Sequence, residues 1–140
     1  PGMRVRVHGG DWDRGEVETN LRQIEVLLLA LRTPVLRNAT SVRVNPTQQA
    51  GFDAEGVLPD GPWVLEAYGG VNVSNNDKLA DNGEALGKAP VGTRRFFACR
   101  TSAWHSLSAS RDLAVGTFTL LNNPSDDHVR LFEFFPVLCA

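Results

Sequence analysis

Cysteine is nearly missing from this chain: Cys99 and Cys139 are the two. Two cysteines make neither a disulfide framework nor a zinc site. Cys99 lies within Phe96-Phe97-Ala98-Cys99 and reads as a small buried thiol. Long apolar runs are missing too, and none approaches the length that spans a membrane. No positively charged start leads into an apolar stretch, so the expectation is a cytoplasmic protein with no membrane partner. Excess basic charge is also lacking. Lys and Arg total 14 against 16 Asp and Glu, a formal net charge of −2. That argues against tight non-specific nucleic-acid binding while leaving room for a local patch. Among the cations Arg outnumbers Lys, and Arg is the better phosphate fork.

What is present reads as a soluble globular protein, with 42% hydrophobic and 21% charged residues in 140. The length suits one domain with a sizeable core. Pro1-Gly2 ahead of Met3 reads as an expression scar, so the domain is expected to run from 3 to 140. Met3 to Val7 alternates Arg with Val, a short strand or ordered arm. Asp11 or Asp13 then caps a helix. Its apolar stripe is expected to be Val17, Leu21, Ile24, Leu28, Leu31 and Val35, at steps of three and four, widened by Leu27 and Leu29, with Pro34 kinking or ending it.

Thr40 to Val44 is β-branched and alternating, an expected first core strand. Gln48 to Val57 and Trp63 to Tyr68 read as a hairpin across Pro59-Asp60-Gly61-Pro62. A short helix follows within Ser74 to Leu86, then a central strand from Arg94 to Arg100. Thr101 to Leu113 is mixed. Thr117 to Leu121 and Val129 to Leu138 are the last strands, with a strong loop signal between them. The order is helix, three strands, helix, strand, mixed segment, two strands. That is an α/β or α+β chain with a mixed sheet.

Two carboxylates fit this scheme badly as structural residues. Asp53 lies on the approach to the hairpin turn, and Glu66 follows Trp63-Val64-Leu65 in a strand that should be buried. A buried charge is costly unless something pairs with it. For Glu66 the plain alternative is an ion pair with Arg43 or Arg95; for Asp53 it is a strand-end or turn residue. Otherwise the simplest partner for two carboxylates joined by a hairpin is a divalent cation. Glu55 lies two residues from Asp53 on the same face of an extended chain, and Glu18 sits on the flank of the first helix. Either can lean toward such a site or face solvent.

The order of elements, with Asp then Glu on a core hairpin, resembles the restriction-endonuclease-like, PD-(D/E)XK nuclease superfamily. The likeness runs from about Glu16 to Arg100. Phe52-Asp53-Ala54-Glu55-Gly56-Val57 stands for the strand that supplies an Asp, and Trp63-Val64-Leu65-Glu66-Ala67-Tyr68 for the strand with Glu-x-Lys. Asn76 to Lys88 stands for the following helix, and Arg95 to Arg100 for the next strand. The resemblance implies an α/β fold with a mixed central sheet flanked by helices. It implies a phosphodiesterase acting on DNA, with Asp53 and Glu66 holding Mg²⁺ or Mn²⁺ and Glu55 or Glu18 as further carboxylates. The chain departs from the pattern at Tyr68, which occupies the Lys position. Lys78, on the next helix, is the candidate for the relocated charge.

Two other readings stay open. One is a module that keeps the fold without the chemistry. It would act in binding or assembly, as a homodimer through a free last strand at Phe134-Phe135-Pro136-Val137-Leu138. The other is a small-ligand binder using Trp63, Tyr68 and Trp104. His8, His105 and His128 are scattered and support no nucleophile–base pairing by spacing.

Overall fold

The first helix begins where the sequence places its cap. A computed structural model describes residues 4–7, 10–45, 51–70, 77–107, 116–122 and 128–136, with backbone only for 4–7, 10–12, 77–80 and 105–107. Strands β1 (Arg4–Val7) and β2 (Gly10–Asp13) form an antiparallel hairpin that leads into helix α1 (Arg14–Leu31). The Asp13 side chain accepts from the Glu16 N–H at 2.8 Å, meeting one of the unpaired first-turn donors. Arg32 is the C-cap, and Pro34 follows.

Three strands come next: β3 (Ser41–Val44), β4 (Ala54–Leu58) and β5 (Gly61–Tyr68). Helix α2 (Asp77–Gly87) crosses over to β6 (Arg94–Arg100). Helix α3 (Thr101–Leu107), β7 (Gly116–Leu120) and β8 (Val129–Pro136) complete the described chain. The strands form one six-stranded sheet in the order β3-β4-β5-β6-β8-β7. Neighbours are antiparallel except β5 and β6, which run parallel. A parallel pair cannot be joined by a tight turn, and the segment carrying α2 provides the crossover. The chain is therefore mixed α/β, built on a mixed sheet. No helix among the described residues is long and apolar enough to cross a membrane.

The hairpin turn is tighter than the sequence suggests. Leu58 pairs with Gly61, leaving Pro59 and Asp60 as the turn and Pro62 inside β5. Gly61 has φ +138°, a backbone conformation open to glycine and rarely to other residues.

Alternation along the strands separates two cores. On one face Trp63, Leu65, Phe96 and Leu131 pack against Val26, Leu27 and Ala30 of α1. On the other, Val64, Phe97, Cys99, Phe132 and Phe134 pack with Leu86 of α2 and Ala103 of α3. Each such large apolar side chain contributes roughly 1.5–3 kcal/mol by leaving water.

Three expectations are corrected. The buried face of α1 runs through Asn20, Val26, Leu27 and Ala30, while Leu21 and Leu28 are 58% and 55% exposed. The reason is close approach: a Cβ added at Gly69 would meet the Gln23 backbone N at 2.6 Å, so the helix lies against main chain there. The β3 segment is an edge, not a core strand, and all four of its residues are exposed. The last strand is not a free edge, because β8 lies between β6 and β7; residues 137–140 are outside the described residues.

Charges on the α1 face are paired. Arg94 donates to Glu133 through Nε and Nη2 at 3.0 and 2.9 Å, reaches Asp60 at 3.4 Å, and lies 5.1 Å from the Phe96 ring centroid. Arg100 meets Glu25 of α1 at 3.0 Å.

Candidate functional site

Antiparallel register builds the site. Ala54 pairs with Leu65, so the next step of the ladder sets Asp53 opposite Glu66. Both side chains lie on the α2/α3 face, because Glu66 alternates with the inward Leu65 and Ala67. Asp53 is fixed twice. Its Oδ2 accepts from the Ala67 N–H at 2.8 Å, and its backbone oxygen accepts from the Asn45 N–H at 2.8 Å.

Glu66 is 8% exposed and hydrogen-bonded to the Asp53 side chain. Burial, then that hydrogen bond and the Asp53 charge, push its carboxyl up to about 9. At neutral pH the two acids therefore share a proton, Glu66 donating and Asp53 accepting. The ion pairs that would have made Glu66 structural do not form. Arg43 meets Glu55 at 3.7 Å instead. Arg95 donates to the carbonyls of Leu86 and Ala89, both at 2.9 Å, and so caps the end of α2.

Of the carboxylates singled out in the sequence, the fold brings together Asp53 and Glu66. Glu55 is half-exposed against Arg43, and Glu18 is exposed against Arg14 at 3.2 Å. Lys78 lies on the first turn of α2, and its side chain is outside the described residues. Among the described residues no group of three or more His, Cys, Asp or Glu is placed to hold a metal. The aromatic trio is divided by the sheet: Trp63 belongs to the α1-face core, while Tyr68 and Trp104 pack on the opposite one. His8 is outside the described residues, His105 is described as backbone of α3, and His128 is exposed.

Two further buried groups lie on this face: Cys99, buried as the sequence leads one to expect, and Arg130, which sequence inspection misses. Tyr68 is in register with Cys99, and Cys99 with Arg130, so the three form a row across the C-terminal ends of β5 and β6. Cys99 is fully buried, and burial pushes its thiol up to about 12, with Arg130 acting in the opposite direction. It is thus no nucleophile at neutral pH. Arg130 is 9% exposed, and its Nε is buried with no hydrogen-bond partner among the described residues. The signal was available: Arg130 interrupts an apolar strand as Glu66 does.

Chemically, the pair suits a hard divalent cation. Mg²⁺ is commonly held by one or two carboxylates, with water and phosphate oxygens completing its shell. Two facing acids that retain a proton are a place where such a cation can replace it. No family model matches the chain, and neither a curated protein nor a solved structure matches it.

Proposed function

We propose that this chain is a metal-dependent phosphodiesterase acting on DNA, with a restriction-endonuclease-like fold, in which Asp53 and Glu66 hold Mg²⁺ or Mn²⁺. The observation that carries the reading is the carboxyl pair at the β4–β5 hairpin, Glu66 buried and Asp53 part-buried, whose acids face each other rather than a cation. The run of α1, three antiparallel strands, crossover helix and parallel strand supports it. When bound, a divalent cation supplies charge stabilisation at the phosphate and a water of lowered pKa.

The chain's own residues do the rest. The Ala67 N–H orients Asp53. Glu66 would serve as the second ligand, its proton passing to solvent as the cation takes its place. Burial of Glu66 lowers the local dielectric, so charge on a phosphate is felt strongly there. Lys78, at the start of α2, would meet the phosphate in place of Tyr68. Glu55, on the same face, would join as an outer carboxylate on leaving Arg43, whereas Glu18 lies on α1 across the sheet, paired with Arg14.

Tyr68 favours a second reading, in which the fold is kept as a binding or assembly module and the acid pair is a structural contact. Mn²⁺ calorimetry on the wild type and Glu66→Ala, with plasmid cleavage in parallel, separates the two. The nuclease reading expects micromolar-to-millimolar Mn²⁺ binding and cutting, both lost in Glu66→Ala. A folded wild type that neither binds nor cuts overturns it and leaves the module.

A further inference from the structure

Arg130 is the cation on the carboxylate face whose charge the described fold does not use. Three described arginines reach that face. Arg43 is exposed and paired with Glu55. Arg95 is spent on the carbonyls at the end of α2. Arg130 alone is buried, with Nε lacking a partner and no carboxylate among the described residues in ion-pair contact with it. Glu133, three residues along the same strand, points to the opposite face and is held by Arg94. A buried guanidinium without an anion is costly. Something anionic is the natural completion.

Position narrows what that anion is. Arg95 lies toward the start of β6, whereas Arg130 is level with Tyr68 and Cys99 at the end where β5 and β6 finish. Glu66 is level with Phe97 and Phe132, one same-face step back. Two strand spacings, about 10 Å, and two residues along the strand, about 7 Å, separate the Glu66 and Arg130 backbones. Phe97 and Phe132 lie level with Glu66, and Cys99 lies between Tyr68 and Arg130, all packed in the core of that face. Direct contact between guanidinium and carboxylates is not what the fold makes, since Glu66 is bonded to Asp53.

We infer that Arg130 is a phosphate-binding residue, its guanidinium fork holding a phosphate oxygen pair on the sheet face that also carries the Asp53–Glu66 carboxylates. The inference takes its phosphodiester substrate from the function proposed above; the anion site itself stands on Arg130. It gives the face a positive charge at the row where Tyr68 supplies none. Arg suits the role because its planar donors match phosphate oxygens in pairs, which a Lys ammonium does not.

The test uses inorganic phosphate as the ligand, in EDTA, with affinity read by calorimetry on the full chain. Arg130→Gln is expected to weaken phosphate binding at least tenfold, and Arg130→Lys by about threefold, because the charge remains but the fork is lost. Circular dichroism establishes that each variant is folded. If Arg130→Gln does not fold, Arg130→Lys decides, and wild-type affinity in that variant overturns the inference. So does wild-type chain that binds no phosphate at 10 mM (about that concentration suffices for a weak single-phosphate site), or a folded Arg130→Gln that binds as the wild type does. Mn²⁺ binding is measured on the same samples. Loss of phosphate affinity with Mn²⁺ binding intact supports both readings. Loss of phosphate affinity in a chain that never binds Mn²⁺ keeps the anion site and discards the metal.

Discussion

The two faces of the sheet treat charge differently. On the α1 face Arg94 is clasped by Glu133, and Arg100 meets Glu25, so each cation has an acid against it. On the α2/α3 face two acids meet each other, and a buried arginine stands apart from them. The first arrangement offsets the cost of burying charge; the second retains it. A fold keeps such an imbalance where a ligand completes it, so the unbalanced face is the place to look for function.

The largest effect should come from emptying the balanced face. Phe96 is fully buried between Trp63 and the Arg94 guanidinium. Phe96→Ala is expected to cost about 3–5 kcal/mol in urea unfolding, and a loss under 1 kcal/mol would mean that this core is not packed as described. Next, Arg94→Ala strands Glu133, whose side chain is 11% exposed, and should cost about 2 kcal/mol. Adding Glu133→Gln to that variant should restore much of the loss. A double variant no better than the single one would show that the pair is not what balances this face.

The opposite face should respond with the opposite sign. Folded Glu66 keeps its proton up to about 9, whereas an unfolded glutamate releases it near 4.5. Between those values the folded state holds more protons, so its stability falls as pH rises. Glu66→Gln removes that dependence. It should leave stability unchanged at pH 4 and raise it at pH 8, by about 1–2 kcal/mol once solvent screening is allowed for. Melting curves at the two pH values check this, and destabilisation at pH 8 would contradict the proton-sharing pair. The smallest effect is reserved for the outward stripe of α1. Leu28→Gln should shift stability by less than about 0.5 kcal/mol, and a shift above 2 would restore Leu28 to the core.

Much of the scaffold was legible. Asp13 as the cap, Pro34 as the stop, the β4–β5 hairpin and Arg94–Arg100 as a strand all follow from local chemistry, which the fold did not override. Of the expected α1 stripe, Leu27, Leu29, Leu31 and Val35 do meet the core, but Leu21 and Leu28 turn outward, because Gly69 lets main chain approach the helix closely and periodicity does not register that. Thr40 to Val44 has the composition of a core strand, but edge position depends on which strands pair, and that lies outside any local window. Asp53 and Glu66 were visible because a carboxylate in an apolar run is out of place. Arg130 carries the same mark in Val129-Arg130-Leu131-Phe132, yet its relation to them passes through two other strand pairings. No spacing along the chain encodes it.

That difference in reach has a kinetic side. The bond from Ala67 to Asp53 closes across 14 positions through a two-residue turn, a loop that forms at little entropic cost. Arg130 joins the same face only after the parallel crossover to β6 and the arrival of β8. Local closure precedes distant closure when nothing else intervenes. On that ordering the two acids are expected to meet before Arg130 reaches their face. Pulse-labelling hydrogen exchange during refolding should find the Ala67 amide protected before that of Leu131; the reverse order would place the nucleus in β8.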